Sequence, residues 1–283
     1  MQLMYYLLSL LILAYLMQSV SVISISFGPK TKILQIDAFV EVVNDLSLTM
    51  HLAPMKFPEL GFFPDLIEIT VTMARKYGSF HRELLKEIKN GAVLYSQLSD
   101  QIKDHRQSAS MQFVLFAVMT WTFILFTVFM LEHALSFGVV AVVLILQIFG
   151  AAFYFLFLNY RIKKLNNYYK NLIKKIYLFK VFITSKIPLK TAVSESQILE
   201  GEAYHQDRFK LKMEGLISSL HTSGRSIDEE MNILTGQLWE KYLREFQKLK
   251  KASLNLRLLV LFIFYLPAHF FYLMHFFSKG MAL

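Results

Sequence analysis

The sequence predicts an all-α integral membrane protein in which four transmembrane helices carry two repeated cytoplasmic helical-bundle domains. Three observations lead to this. Of the 283 residues, 55% are hydrophobic and 15% aromatic, more than an ordinary soluble chain carries. The excess falls in four runs long enough to cross a bilayer: Leu3 to Ile23, Met111 to Leu131, Phe137 to Leu158 and Leu258 to Phe277, all without Lys, Arg, Asp or Glu. The charge lies between them in two blocks. Residues 28–110 hold 10 Lys+Arg and 10 Asp+Glu, residues 159–257 hold 19 and 10, and only Glu132 and Lys279 fall elsewhere.

The two blocks set the orientation. The positive-inside rule places both in the cytoplasm, so the turn Glu132 to Ser136 and both termini are expected outside. The net charge of +9 thus reads as a topology signal, and nucleic acid is not an expected partner. The predicted divisions are 1–27 (first span), 28–110 (cytoplasmic, repeat 1), 111–158 (transmembrane hairpin), 159–257 (cytoplasmic, repeat 2) and 258–283 (last span and short external tail). Met1 to Tyr6 carries no charge, so the first run lacks the basic start of a signal peptide and is expected to be retained. With no cysteine in the chain, disulfides and thiolate metal sites are excluded.

In chain order, Gly28-Pro29 opens a helix spaced on Ile36, Phe39, Val43, Leu46 and Met50. A turn at Pro54 to Gly61 follows. Pro64 suits a first helical position, with Asp65 favouring the dipole, and the expected apolar stripe is Leu66, Ile69, Met73 and Tyr77, ended by Gly78. From Ser79 a second helix reads through Leu84, Ile88, Ala92, Tyr95, Leu98 and Ile102 without a breaker before the span at Met111. A basic helix from Arg161 to Lys175 continues out of the third span and offers cations to anionic lipid headgroups, or fixes topology. Past Pro188 and a polar stretch, Phe209, Met213, Leu216, Ile217 and Leu220 share a helix face that stops at Ser223-Gly224. Ser226 and Glu229 form a capping-box pattern, and the stripe Met231, Leu234, Leu238, Tyr242, Phe246 and Leu249 leads into the last span.

The two cytoplasmic segments resemble each other. Placing Gly91 on Gly236, an offset of 145 residues, also aligns Leu98 with Leu243, Asp100 with Glu245, Lys103 with Lys248, Arg106 with Lys251 and Ser108 with Ser253, and one further shift brings Gly78 to Gly224. Each copy reads as helix, glycine turn, long helix, span, a duplication expected to pack as a pseudo-symmetric pair.

Chemistry is sparse. There is no Gly-x-x-x-x-Gly-Lys-Ser/Thr phosphate loop, no His-Glu-x-x-His and no Gly-x-Ser-x-Gly, so no catalytic, cofactor or metal site is expected. Only Gln147 and His269 are polar groups expected deep in the membrane. Pro267 could break the last span as transporters do, or simply kink it. A small-solute or ion transporter is therefore the alternative reading.

Leu220-His-Thr-Ser-Gly224-Arg-Ser226-Ile-Asp-Glu-Glu-Met231 is similar to the Leu-x-x-Gly-x-Ser turn of the type II secretion system F-domain family, particularly the inner-membrane platform proteins of tight adherence (Tad) pili. The end, Leu249-Lys-Lys-Ala-Ser-Leu to Phe264-Tyr-Leu-Pro267-Ala268, resembles that family's basic stretch and final span. Phe63-Pro64-Asp65-Leu66 through Gly78-Ser79 to Gly91 fits more loosely, with a shorter interval between its glycines. The resemblance implies a non-enzymatic platform in a bacterial inner membrane, coupling a separate cytoplasmic assembly ATPase to extraction of a pilin or pseudopilin. Its expected partners are that ATPase, a paralogous platform subunit or a second copy, the pilin, and membrane lipids. The implied contacts are Gly78, Ser79, Gly224, Arg225, Ser226 and Glu229.

Overall fold

The computed structural model describes residues 29–49, 60–78, 82–130, 136–200, 208–223 and 227–280. The predicted first span, Leu3 to Ile23, and the turn residues Glu132 to Leu135 lie outside the described residues. Among the described residues there is no strand. The helices are α1 (Pro29–Thr49), α2 (Phe63–Tyr77), α3 (Arg82–Met130), α4 (Phe137–Thr184), α5 (Leu189–Ser196), α6 (Arg208–Ser223), α7 (Asp228–Val260), a π-helical turn (Leu261–Tyr265) and α8 (Leu266–Gly280). Three stretches are long and apolar enough to cross a membrane: Arg82–Phe129, Phe137–Thr184 and Asp228–Ser278. Each overlaps one of the predicted apolar runs, Met111 to Leu131, Phe137 to Leu158 and Leu258 to Phe277 in turn. The chain divides into two compact units.

The first unit is Pro29–Asp100 with Lys163–Phe246. Its core takes Phe39 and Val43 from α1, Phe63 and Leu66 from α2, Ile88 and Ala92 from α3, Ile173 and Phe179 from α4, and Met231 and Phe246 from α7. Leu60, Gly61 and Phe62 lead into α2. Gly61 has φ 63°, and a Cβ there would crowd the Tyr95 ring at 3.1 Å, so both backbone and packing require glycine. Phe63 then stacks on Phe62 (4.3 Å between centroids), lies tilted against Tyr95 and meets Tyr177 edge-on.

Helix α2 starts in its first turn with Pro64, as the sequence predicts, but its buried face differs from the expected stripe. Phe63, Leu66, Ile67, Thr70 and Ala74 are buried, while Tyr77 is exposed. Two substitutions for bulk make this possible: Thr70 satisfies its hydroxyl on the Leu66 carbonyl at 2.6 Å, and Ala74 is small. The polar stretch after Pro188 is helical too, as α5, ending in Gln197 at φ 51°.

The second unit is Gln101–Ile162 with Gln247–Leu283. Contacts here rise together along α3 and the α7–α8 helix, His105 with Ser253, Phe113 with Tyr265, Phe123 with His269 and Thr127 with Tyr272, so these two run side by side in the same direction. Helix α4 runs against them, for Phe113 meets Tyr154 whereas Trp121, further along α3, meets Gln147. Gly150 lets α4 approach closely, since a Cβ would lie 2.8 Å from that of Phe264. The outside of this unit is apolar: Leu115, Met119, Phe129, Ile145, Leu156, Phe262 and Met274 are all exposed. Such a surface inverts the pattern of a water-soluble domain and suits acyl chains.

Pro267 neither breaks nor sharply ends the last apolar helix. It has no N–H to offer the carbonyl of Ile263 four residues back. The chain answers with the π turn, in which the Leu266 N–H reaches the carbonyl of Leu261.

Candidate functional site

In the first unit, an apolar run of α4, Ile176-Tyr-Leu-Phe-Lys180-Val-Phe-Ile183, buries one cation. The Lys180 side chain is 5% exposed. Its ammonium pairs with the Glu87 carboxylate of α3 and donates to the Asn232 side-chain oxygen of α7. One turn earlier on α4, the Tyr177 hydroxyl donates to the main-chain carbonyl of Glu87 at 3.3 Å. Burial pushes that phenol up to about 12, with the Glu87 charge adding to it. A buried ammonium demands acceptors from every side, so this one lysine ties α3, α4 and α7 together.

Around it the packing is aromatic. Tyr242 stacks on Tyr169 (4.6 Å, 13° between planes) and donates to Asn166 at 2.6 Å; burial raises its phenol, and Tyr95 and Tyr169 add to the effect. Gly91 lies in van der Waals conflict with any added side chain, because a Cβ would collide with the Tyr177 hydroxyl.

The second unit holds a different polar cluster, at the end of the apolar runs nearest the charged segments. Ser253 Oγ donates to the Lys250 carbonyl at 2.8 Å and is hydrogen-bonded to His105 Nε2, 2.5 Å away. Burial lowers the His105 pKa, and the charges of Arg257 and Lys250 lower it further. Arg257 is itself buried, 5% exposed. Its Nη1 has no hydrogen-bond partner, and the Tyr154 hydroxyl lies close to both Arg257 and Ser253. Deeper in the unit, Trp121 donates to Gln147 at 3.0 Å, and His269 rests against the Phe123 ring at 5.2 Å.

Of the residues singled out as contacts, Gly78 and Glu229 are described. Gly78 caps α2 in the left-handed region (φ 68°), donating to the Ala74 carbonyl at 2.9 Å, with open space around its Cα. Glu229 is exposed in the acidic first turn of α7, between Asp228 and Glu230. Ser79, Gly224, Arg225 and Ser226 lie outside the described residues, and the Ser226 capping box with them. Sequence reasoning passed over Lys180 and Arg257. A lysine isolated in a run of eight otherwise uncharged residues, and an arginine abutting an apolar run, are the signals that could have found them. No group of three or more metal-ligating side chains occurs among the described residues. No protein family, characterised protein or solved structure matches the chain.

Proposed function

We propose that this chain is the inner-membrane platform protein of a Tad-like pilus or type II secretion machine, coupling a separate cytoplasmic assembly ATPase to extraction and assembly of a pilin or pseudopilin. The observation that carries the reading is helix continuity. Helix α3 runs unbroken from Arg82 to Met130 and α4 from Phe137 to Thr184, and α7 passes through the π turn into α8. Each contributes a polar half to one unit and an apolar half to the other, so displacement along any of them is shared by both.

The duplication in this reading has support in each unit taken alone. In the first, the two groups that hold Lys180 are Glu87 and Asn232; in the second, Thr127 bonds to Tyr272. Both pairs are separated by the 145 residues that align the repeats. Equivalent positions meet at a shared axis when two like elements pack in parallel, which favours two copies related about an axis along the helices. The glycines matched by the alignment do not share a role: Gly91 is enclosed, whereas nothing lies within 4 Å of a Cβ on Gly236.

On this reading the protein is not an enzyme. It resides in a bacterial inner membrane with four spans, both cytoplasmic segments inside and both termini outside. Its partners are the ATPase, a paralogous platform subunit or a second copy, the pilin, and lipids. Contacts at Gly78, Ser79, Gly224, Arg225, Ser226 and Glu229 face the ATPase or partner subunit. Co-purification in mild detergent, followed by identification of what is retained, tests this. An assembly ATPase or paralogous membrane subunit is expected; recovery of neither overturns it. A transporter reading keeps one motive, the position of His269 beside an apolar groove, and solute or ion flux in liposomes unaffected by His269→Ala would remove it.

A further inference from the structure

Between α3 and the α7–α8 helix of the second unit runs an apolar groove of about 600 Å³, to which α4 contributes no lining residue. It extends from Phe116 and Leu258 at one end to Phe123 and His269 at the other. Helix α4 packs against the same two helices elsewhere. It meets Phe113 and Trp121 of α3 and, where Gly150 makes room, Phe264 of the π turn.

The 145-residue offset of the repeat relates these two places. Carried by that offset, Phe113 falls on Leu258, Trp121 on Leu266 and Phe264 on Met119. All three counterparts line the groove. A twofold relation between parallel helices requires this, because the side of α3 that a neighbour covers becomes the opposite-facing side of its counterpart. The two sides differ in cover. Phe113 is 3% exposed and Trp121 1%, whereas Leu258 is 56% exposed and Leu266 42%. The groove is the seat of α4 repeated, with no helix in it among the described residues.

Chain order names the counterpart of α4. Helix α4 precedes the α7–α8 helix, so its counterpart precedes α3. Before α3 the sequence has one apolar run long enough to cross a bilayer, Leu3 to Ile23, free of charge like the α4 run Phe137 to Leu158. Both runs lead towards the same core. Helix α4 goes on to bury Ile173 and Phe179 in the first unit, and the first run is followed by α1, which buries Phe39 and Val43 there.

We propose that Leu3 to Ile23 of the same chain lies in the groove as a helix antiparallel to α3, the counterpart of α4. The groove needs to take only one face of it, as α4 in its own seat leaves Ile145, Ile148 and Leu156 exposed. Close packing of this kind is what holds helices together in a membrane. The proposal rests on the duplication and not on the platform role, so failure to retain an ATPase would leave it standing.

The test uses the full chain, which has no native cysteine. Leu258→Cys and Leu266→Cys, both at exposed positions, are each combined with single cysteines placed through Leu3 to Ile23. The pairs are oxidised in membranes and the disulfides mapped by mass spectrometry. In the seat of α4, Trp121 meets Gln147 and Phe113 meets the later Tyr154. Cysteines in the first half of the run should therefore bond to Leu266→Cys and those in the second half to Leu258→Cys, at about one position in every three or four. A disulfide needs Cα atoms roughly 4–7 Å apart, so yields at those positions should exceed those with Ile145→Cys, on the outer face of α4, by about tenfold. Yields no higher than that control at every position overturn the proposal, and so does the reverse order along the run. Bonds that form only between copies, seen as dimers on non-reducing gels, also overturn it and give the groove to a second chain.

Discussion

Removing the two partners of the Lys180 pair should have unequal consequences. Glu87→Ala leaves an ammonium that is 5% exposed with one neutral acceptor, Asn232. Breaking a wholly buried pair in this way costs about 3–5 kcal/mol. Because the Glu87 side chain is 30% exposed, water can reach part of the vacated space, which reduces the expected loss to about 2–3 kcal/mol. Lys180→Met instead removes the buried charge and keeps most of its apolar stem. Glu87 then turns to water, and the loss should be about 1 kcal/mol. The double variant, with no buried charge, should be more stable than Glu87→Ala alone, a coupling of about 1–2 kcal/mol. Unfolding in detergent followed by fluorescence of the buried Trp239 reads these differences as an order of stability: Glu87→Ala lowest, the double variant above it, and Lys180→Met nearest wild type. Equal losses in the two single variants, or a double variant less stable than Glu87→Ala, would refute the reasoning that the cost lies in an uncompensated buried cation.

The two glycines aligned by the repeat should respond oppositely. Gly91→Ala drives a methyl into the Tyr177 hydroxyl and should cost about 1–3 kcal/mol, relieved in part by Tyr177→Phe, whereas Gly236→Ala, with open space around it, should be neutral or stabilise by up to about 1 kcal/mol. Alkali should unfold the first unit by linkage at Tyr177: the unfolded chain releases the phenolic proton near 10 and the folded one near 12, so stability is intact below pH 10 and falls by about 2–3 kcal/mol up to pH 12. Tyr177→Phe should flatten that slope, leaving the part due to Tyr95 and Tyr242, which burial also raises. Single cysteines at Ser99 and Ser136 test the proposed orientation: an impermeant thiol reagent added to intact cells should modify Ser136→Cys alone, and reaction at Ser99→Cys would reverse it.

Long periodic helices were legible because burial in them repeats what the sequence repeats. The stripe from Leu84 to Ile102 and that from Met231 to Phe246 are buried almost throughout, and no breaker interrupts either before its apolar run. The stripe of helix α2 was read about one residue off: Leu66 is buried as expected and Ile69 and Met73 are half-buried, but the structure buries Thr70, whose hydroxyl is satisfied within its own helix, and exposes Tyr77. Helix α5 was missed because eight residues with only Leu189, Ala192 and Val193 apolar offer little periodicity; Pro188 before it and the left-handed Gln197 after it fix it. Its own segment could mark Lys180 as an isolated charge but not say what it meets. Its partners stand 93 residues before and 52 after it, and only tertiary packing says which faces of α3 and α7 point at it. Of the contact residues carried over from family resemblance, Gly78 owes its glycine to a helix end, a local reason that holds with or without a partner.

Pro267 connects three features that looked separate in the sequence. The π turn from Leu261 to Tyr265 stands just before a proline unable to donate to Ile263, which gives the turn a reason to stand there. Through and beyond it the helix keeps one buried face, Leu261, Tyr265, Ala268 and Tyr272. Tyr272 on that face bonds to Thr127, which lies 145 residues earlier in the chain, and Leu261, Phe262 and Tyr265 line an apolar groove against α3. A proline that the sequence offered as a break or a kink is instead taken up by one widened turn, and the helix continues through it.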